Sequence, residues 1–249
     1  MECPVTATLL APATVLDRSL SRMRELHPDY PRMYAVATMA GEGKRRWWAL
    51  GGAQRASRIS LMLDRAVDDL GDPDAAALQV ASSLIHAVVG RVTALTALEG
   101  RAWDCGVENL WIHMDNDGCI DWAGIVDETL RVLPGDPAAG TPGTVTVPCE
   151  RALHLWTASR CMSSLSAVAT SLSRCSSIDR RRYWGLVGES VLGAATHVPL
   201  LAGIGGADAQ RRGQGLLDAF VASGAPVRSR VRPWVRPGRA PHGAVLRNR

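Results

Sequence analysis

The chain has 249 residues, of which 47% are hydrophobic and 21% are charged, and its formal net charge is +4. This balance excludes a largely disordered chain and is sufficient for one globular domain with a sizeable core. The excess positive charge lies in residues 228–249, which contain seven arginines and no acid. The rest of the chain is weakly acidic, so a nucleic-acid-binding surface is not predicted.

Targeting and metal-binding signals are not found in the sequence. The N-terminal residues lack the basic segment followed by an apolar segment that is typical of a signal peptide. The longest uncharged stretch, 190–207, is interrupted by Pro199 and by glycines, so a membrane span is not predicted there. The six cysteines form no CxxC pair, and the histidines have no metal-ligand spacing. We therefore expect a cytoplasmic protein that has reduced thiols, does not bind a membrane, and contains no resident metal ion or cofactor. The sequence does not predict the oligomeric state.

The first half of the chain combines helices with short apolar segments. Hydrophobic spacing predicts helices over 14–27 and 55–70, with short strand-like segments at 33–40 and 47–50. A longer helix begins at Asp72-Pro73, where the aspartate can cap the free N–H groups and the proline fits the first helical position. Gly100 is the predicted end of this helix.

The remaining predicted elements are a hairpin and three helices. Two segments with the alternating side-chain pattern of β-strands flank Asp117-Gly118. An Asp-Gly pair between such segments is a strong hairpin signal. A third strand is predicted at 129–133, followed by a Pro/Gly-rich loop over 134–148. Helices are then predicted over 149–172, over 179–198 with Asp179 as its cap, and over 207–222. The predicted fold class is α+β and mostly helical, with long helices packed around a cavity and a small antiparallel β-hairpin region. Residues 1–226 form the predicted domain, and 227–249 form a basic tail.

Three segments carry a resemblance to a known family. They are VASSLIHAVVGRVTALTAL (80–98), ENLWIHMDNDGCIDW (108–122) and RRYWGLVGESVLGAATHV (181–198). In this order and spacing, within residues 72–222, they resemble the FhuF-type ferric-siderophore reductase family, especially its actinobacterial branch. The resemblance implies a helical shell around a pocket for an iron-loaded siderophore.

The same resemblance implies that a redox centre has been lost. The family holds a [2Fe–2S] cluster at its C-terminus with a Cys-Cys pair, ten residues and a CxxC pair. Aligning Pro237-Gly238 with the family's Pro-Gly places the ligand positions at Arg230, Val231, His242 and Val245. Such clusters need four thiolates, or two thiolates and two histidines, so these residues cannot hold one.

Two ionisable residues in apolar helices are the candidate catalytic groups. His86 shares a small polar stripe with Gln79 and Ser82, and it is either a satisfied histidine at a helix crossing or a general acid/base. Glu189 lies in an otherwise apolar helix, where burying an unpaired carboxylate would be costly. It is therefore either part of a structural pair with an arginine or a catalytic or ligand-binding group.

These candidates lead to two hypotheses of function. The expected ligand-binding residues around the catalytic pair are Gln79, Ser82, Arg182, Trp184, Thr196 and His197. The first hypothesis is a cluster-less FhuF-like enzyme of specialised metabolism that performs a non-redox step, such as a cyclisation or another tailoring reaction, on a siderophore-like or other small-molecule substrate. The alternative is a ferric-siderophore-binding or iron-reductase-like protein in siderophore iron use.

Overall fold

The computed structural model describes residues 13–43 and 45–227. It has the predicted class, α+β and mostly helical, with one four-stranded and one two-stranded sheet in this part of the chain. The basic tail and the four aligned positions Arg230, Val231, His242 and Val245 lie outside the described residues. The structure therefore describes most of the predicted domain and, of the tail, only residue 227.

Helices account for most of the described chain. Their bounds are α1 Val15–Glu25, α2 Arg55–Leu70, α3 Pro73–Ile85, α4 Arg91–Glu99, α5 Glu150–Leu172, α6 Arg180–Leu201 and α7 Ala207–Ala222. The three predicted boundary residues are confirmed. Asp72 Oδ1 accepts hydrogen bonds from the first-turn N–H groups of α3, Asp179 Oδ1 accepts one from Arg182 N, and Gly100 ends α4 with φ 68°.

The central helix is continuous through α3 and α4, but its middle is wider than an α-helix. The segment His86–Gly90 forms a π-helical turn between the two α-helices. Insertions of this kind occur frequently at functional sites. The whole helix, Pro73–Glu99, is long and apolar enough to span a membrane by length and composition, yet 83% of its most apolar window is buried within the protein. This burial is what a core helix requires.

The larger sheet packs one of its faces on the core. Its strands are β1 Ala37–Thr38, β2 Trp47–Ala49, β3 Leu110–Met114 and β4 Ile120–Ile125, in the order β1-β4-β3-β2. β3 and β4 form the predicted antiparallel hairpin, and β1 pairs with β4 in parallel. Trp48, Ile112 and Ala123 are in register on the buried face, whereas Trp47, His113 and Trp122 are in register on the opposite face.

The smaller sheet corrects one expectation. β5 Leu130–Val132 is the predicted third strand, but its partner is β6 Thr144–Thr146, which lies inside the segment predicted to be a loop.

Close to this sheet, Arg101 makes two hydrogen bonds to the Asp136 carboxylate, at 2.7 and 2.9 Å, and one to Glu99 at 2.9 Å. The Asp136 side chain is 7% exposed and has Arg101 as its charged partner, whereas the Glu99 side chain, 4% exposed, also accepts hydrogen bonds from Ser19 and Arg22.

Candidate functional site

A cleft of about 420 Å³ opens between the central helix, the hairpin and the segment before β1. This volume falls within the range of small-molecule sites. The lining residues are Asp29, Tyr30, Pro31, Arg32, Met33, His86, Arg91, Ile120 and Asp121. We call it the Arg91 cleft.

Arg91 is the buried cation of this cleft. The residue is 3% exposed, and its hydrogen bonds go to backbone carbonyls: Nη1 donates to Ala35 O at 2.6 Å and Nη2 to Asp121 O at 3.4 Å. Its Nε has no partner in the described part of the chain. Burial lowers the Arg91 pKa to about 10 against the opposing influence of the Asp121 charge, so the guanidinium is still protonated at neutral pH. A guanidinium has five N–H donors, so Arg91 retains capacity for an oxygen-bearing ligand.

His86 borders the cleft at the start of the π-helical turn. Its Nε2 lies 2.8 Å from Met33 O, so Nε2 carries the proton and Nδ1 keeps its lone pair. Burial and the nearby Arg91 charge lower the His86 pKa to about 4, despite the opposing bond to Met33. The ring is therefore neutral at pH 7 and fixes the segment that forms one wall of the cleft.

Asp121 and Arg32 form the rim on the hairpin side. Arg32 Nη1 donates to Asp121 Oδ2 at 2.8 Å, and its guanidinium lies over the Trp122 ring at 4.5 Å from the centroid. His113 Nδ1 donates to the other carboxylate oxygen at 2.5 Å. These contacts hold Arg32 in place before a ligand arrives, which reduces the entropy lost on binding.

Gly90 permits the close packing behind His86. A Cβ at this position would lie 2.9 Å from Ser190 Oγ and closer still to His86 Nδ1. Ser190 Oγ is buried without a hydrogen-bond partner in the described residues. The cleft-side position of the His86 ring therefore depends on the absence of a side chain at residue 90.

Gly90→Ala is expected to destabilise the protein by about 1–3 kcal/mol, because the new methyl group must displace the His86 ring or the Ser190 hydroxyl. The matched control is Gly185→Ala in α6, where a Cβ meets nothing within 4 Å. The control should instead stabilise by about 0.5–1 kcal/mol through helix propensity. Chemical denaturation of both variants measures the contrast, and equal effects would contradict the packing described for Gly90.

The shifted His86 pKa predicts a loss of stability on mild acidification. The pKa is about 4 in the folded protein and 6.5 for an ordinary histidine, so the unfolded chain binds the proton first as the pH falls. The stability is fully present above pH 6.5 and should fall by up to about 1.4 kcal/mol per pH unit between pH 6.5 and pH 4. His154 shifts in the same direction through burial. Subtracting the unfolding free energy of His86→Gln from that of the wild type removes the His154 contribution and leaves that of His86. If this difference did not change between pH 6.5 and pH 4, His86 would not be buried in its neutral form.

Of the predicted site residues, His86 alone lines the Arg91 cleft. Glu189 is exposed on α6 and does not line it, so the two predicted catalytic residues do not share this cleft. Trp184 is buried and borders a separate cleft of about 300 Å³, and Gln79 borders another of about 140 Å³. The other predicted ligand-binding residues are exposed: Ser82, Arg182, Thr196 and His197.

The sequence-based prediction missed Arg91, Arg32 and Asp121. Arg91 carried a usable signal, since it is the one charged residue between Leu84 and Leu98 of the central helix. Arg32 and Asp121 are 89 residues apart, so no local pattern indicates their contact. The three resembling segments nevertheless meet here: 80–98 supplies His86 and Arg91, 108–122 supplies Asp121, and 181–198 packs Ser190 against Gly90.

The residues of this chain do not fit the cluster that the resemblance implies. The aligned positions hold arginine, valine, histidine and valine, and residues 228–249 contain no cysteine. Within 13–43 and 45–227, no three His, Cys, Asp or Glu side chains are grouped so that they could hold a metal ion.

Comparison with known proteins identifies no family. No family model matches the chain, and no curated protein matches its sequence. Among solved structures, part of the chain is similar to aerobactin synthetase IucC from a hypervirulent pathotype of Klebsiella pneumoniae, with a TM-score of 0.39 and 16% sequence identity. The match covers 57% of this chain and 27% of that one, so the chain spans about a quarter of the length of the synthetase. Similarity at this level does not establish a common family or activity.

Proposed function

We propose that this protein binds an oxygen-rich small molecule in the Arg91 cleft and promotes a non-redox step on it, such as a cyclisation or a rearrangement. The ligand class is a siderophore or a related polyketide- or peptide-type natural product. The observation that carries the proposal is Arg91, a buried cation that uses two of its five N–H donors in a cleft of small-molecule size. Because this buried charge is incompletely paired, a hydrogen bond from its guanidinium to a ligand oxygen should contribute strongly to the binding free energy.

The rim favours a ligand with several polar groups. Arg32 adds a second guanidinium, which Asp121 and Trp122 hold in position. Asp29 is exposed at the same rim and offers an acceptor for an amine or hydroxyl. A molecule that combines carboxylate or hydroxamate oxygens with hydrogen-bond donors therefore matches the cleft. The resemblance to a family that handles siderophores favours the same ligand class.

The chemistry we propose uses the chain's own groups. The cysteine-free tail supplies no ligands for an iron–sulfur cluster, whereas the cleft supplies a fixed positive charge at Arg91 and a neutral imidazole at His86. Such groups can orient a substrate and stabilise developing negative charge. His86 and Glu189 remain the catalytic candidates, and of the two only His86 borders the cleft.

Binding is tested by titrating the full chain with a trihydroxamate siderophore, with and without iron, while following tryptophan fluorescence. Because Arg32 lies over Trp122, occupation of the cleft should change the emission with a micromolar Kd. Arg32→Gln should weaken binding roughly 5- to 30-fold, by the loss of one rim contact worth about 1–2 kcal/mol. Arg181→Gln, at an exposed position of α6, should not change it. If calorimetry and fluorescence both show no binding of either form, the proposal is wrong.

Turnover is tested by mass spectrometry of the iron-free ligand after incubation with the protein. The proposal expects a product of unchanged oxidation state that His86→Gln abolishes, and a parallel Glu189→Gln variant decides whether the α6 carboxylate contributes. Binding without any product would leave the protein as a siderophore-binding protein, which is the alternative reached from the sequence.

A further inference from the structure

A second cavity, of about 660 Å³, lies between α5 and α7 and shares no lining residue with the Arg91 cleft. α7 contributes Arg211, Gln214 and Asp218 to the lining together with Gly215, Ala219 and Ala222, and the three small residues lie on one face of the helix because their spacing is four and three residues. Their small side chains leave the space open, and Leu155 of α5 borders it while remaining 38% exposed. We call this cavity the α5–α7 groove.

His154 is the buried polar residue of this groove. It is 5% exposed, and its Nε2 has no hydrogen-bond partner among the residues that the structure describes. The ring packs against Gly215, where a Cβ would overlap it. Burial lowers the His154 pKa, so the ring is neutral at pH 7 and Nε2 can form one hydrogen bond with an incoming group. Buried side-chain nitrogens are rarely left without a partner, and this one therefore points to a ligand.

The charges around the groove balance one another. Arg211 is paired with Glu150, and Gln214 donates to Asp218 at 2.8 Å. The lining contains two arginines and two acids, so it does not select a charged molecule. An uncharged occupant with an apolar body against Ala219, Ala222 and Leu155 satisfies both the surface and the charge balance.

We propose that the α5–α7 groove is a second binding site, which takes an uncharged, largely apolar small molecule with one hydrogen-bonding oxygen directed at His154. This site differs from the Arg91 cleft in its ligand chemistry, because the cleft offers an incompletely paired cation and the groove offers a neutral imidazole. The proposal is independent of the function proposed for the cleft.

The test uses Nile red, an uncharged dye with a carbonyl oxygen whose fluorescence rises in apolar surroundings. We expect saturable binding at one site per chain. Ala222→Trp fills the groove from an exposed position and should weaken binding at least tenfold, whereas the neighbouring Val221→Trp, at an exposed position outside the lining, should change it less than twofold. His154→Phe keeps an aromatic ring at this position but removes the hydrogen bond, and should weaken binding at least fivefold.

Three results would overturn the proposal. They are no saturable binding of the dye, equal effects of the two tryptophan variants, and a loss of binding in Arg91→Met that would place the dye in the cleft. Full affinity in His154→Phe would be a fourth such result, because the proposed ligand directs its oxygen at His154. Circular dichroism of each variant confirms that the helices are retained, and Ala222→Trp tests the site even where His154→Phe fails to fold.

Discussion

Replacing Arg91 by methionine is expected to weaken ligand binding in the cleft at least roughly 30-fold while leaving the free energy of unfolding within about 2 kcal/mol of the wild-type value. The guanidinium is 3% exposed and bonds only to the carbonyls of Ala35 and Asp121 among the described residues, so its burial is poorly compensated. Methionine is a shorter, uncharged chain that removes that cost, although it leaves Ala35 O and Asp121 O without their donor. Losing a buried charge contact to the ligand costs about 2–5 kcal/mol, which corresponds to at least roughly a 30-fold increase in Kd.

The controls separate a functional arginine from a structural one. Calorimetric titration and urea denaturation are measured on Arg91→Met and on Arg181→Met, an exposed position in α6 that should change neither quantity. If Arg91→Met lost 3–5 kcal/mol of stability, the value for breaking a well-compensated buried pair, Arg91 would serve the fold, which contradicts a ligand-binding role for it.

Arg101→Met is expected to be the most destabilising charge substitution, at about 3–5 kcal/mol. Arg101 binds both Asp136 oxygens and also Glu99, and these two carboxylate side chains are only 7% and 4% exposed. Burial acts to raise the Asp136 pKa, but hydrogen bonds from Arg101 and from Ala138 N outweigh it and lower the pKa. Removing the arginine therefore leaves the Asp136 carboxylate inside the protein without its main partner, while Glu99 keeps its hydrogen bonds from Ser19 and Arg22.

Arg211→Met is the matched control for this network. Arg211 also has two acidic partners, Glu150 and Asp208, but its side chain is 54% exposed, so the loss should be below about 1 kcal/mol. Urea denaturation at pH 7 compares the two variants. Similar losses in both would show that burial does not control the strength of the Arg101 contacts.

Local chemistry explains which parts of the fold were predictable. The caps at Asp72 and Asp179 and the helix end at Gly100 depend on a few neighbouring atoms, and the structure confirms them. The hairpin at Asp117-Gly118 is local in the same sense. The pairing of β5 with β6 was missed because its partner lies in a Pro/Gly-rich segment, where strand propensity is low and a distant contact decides the structure.

The candidate site shows where sequence patterns stop being sufficient. Arg91 and Glu189 are both charged residues in apolar helices, and the sequence-based prediction selected Glu189. Residues 87–98 of the central helix are all buried, so a charge among them is surrounded by protein except where the Arg91 cleft opens, whereas α6 has an exposed face that accepts Glu189. The sequence feature that distinguishes Arg91 from Glu189 is therefore the apolar character of the whole surrounding helix, not the charged residue itself. The contact of Arg32 with Asp121 required the three-dimensional structure.

The claim that an oxygen-rich ligand binds to Arg91 is tested most directly by following the Arg91 Nε–H signal in a nitrogen-15 NMR spectrum. Comparison of the wild-type spectrum with that of Arg91→Met assigns the signal, and a trihydroxamate siderophore, with or without iron, is then added. We expect a saturable shift of the Arg91 Nε–H signal at the same Kd as the tryptophan fluorescence change. An unshifted Arg91 signal at saturating ligand would contradict the account, because the ligand would then bind elsewhere or not at all.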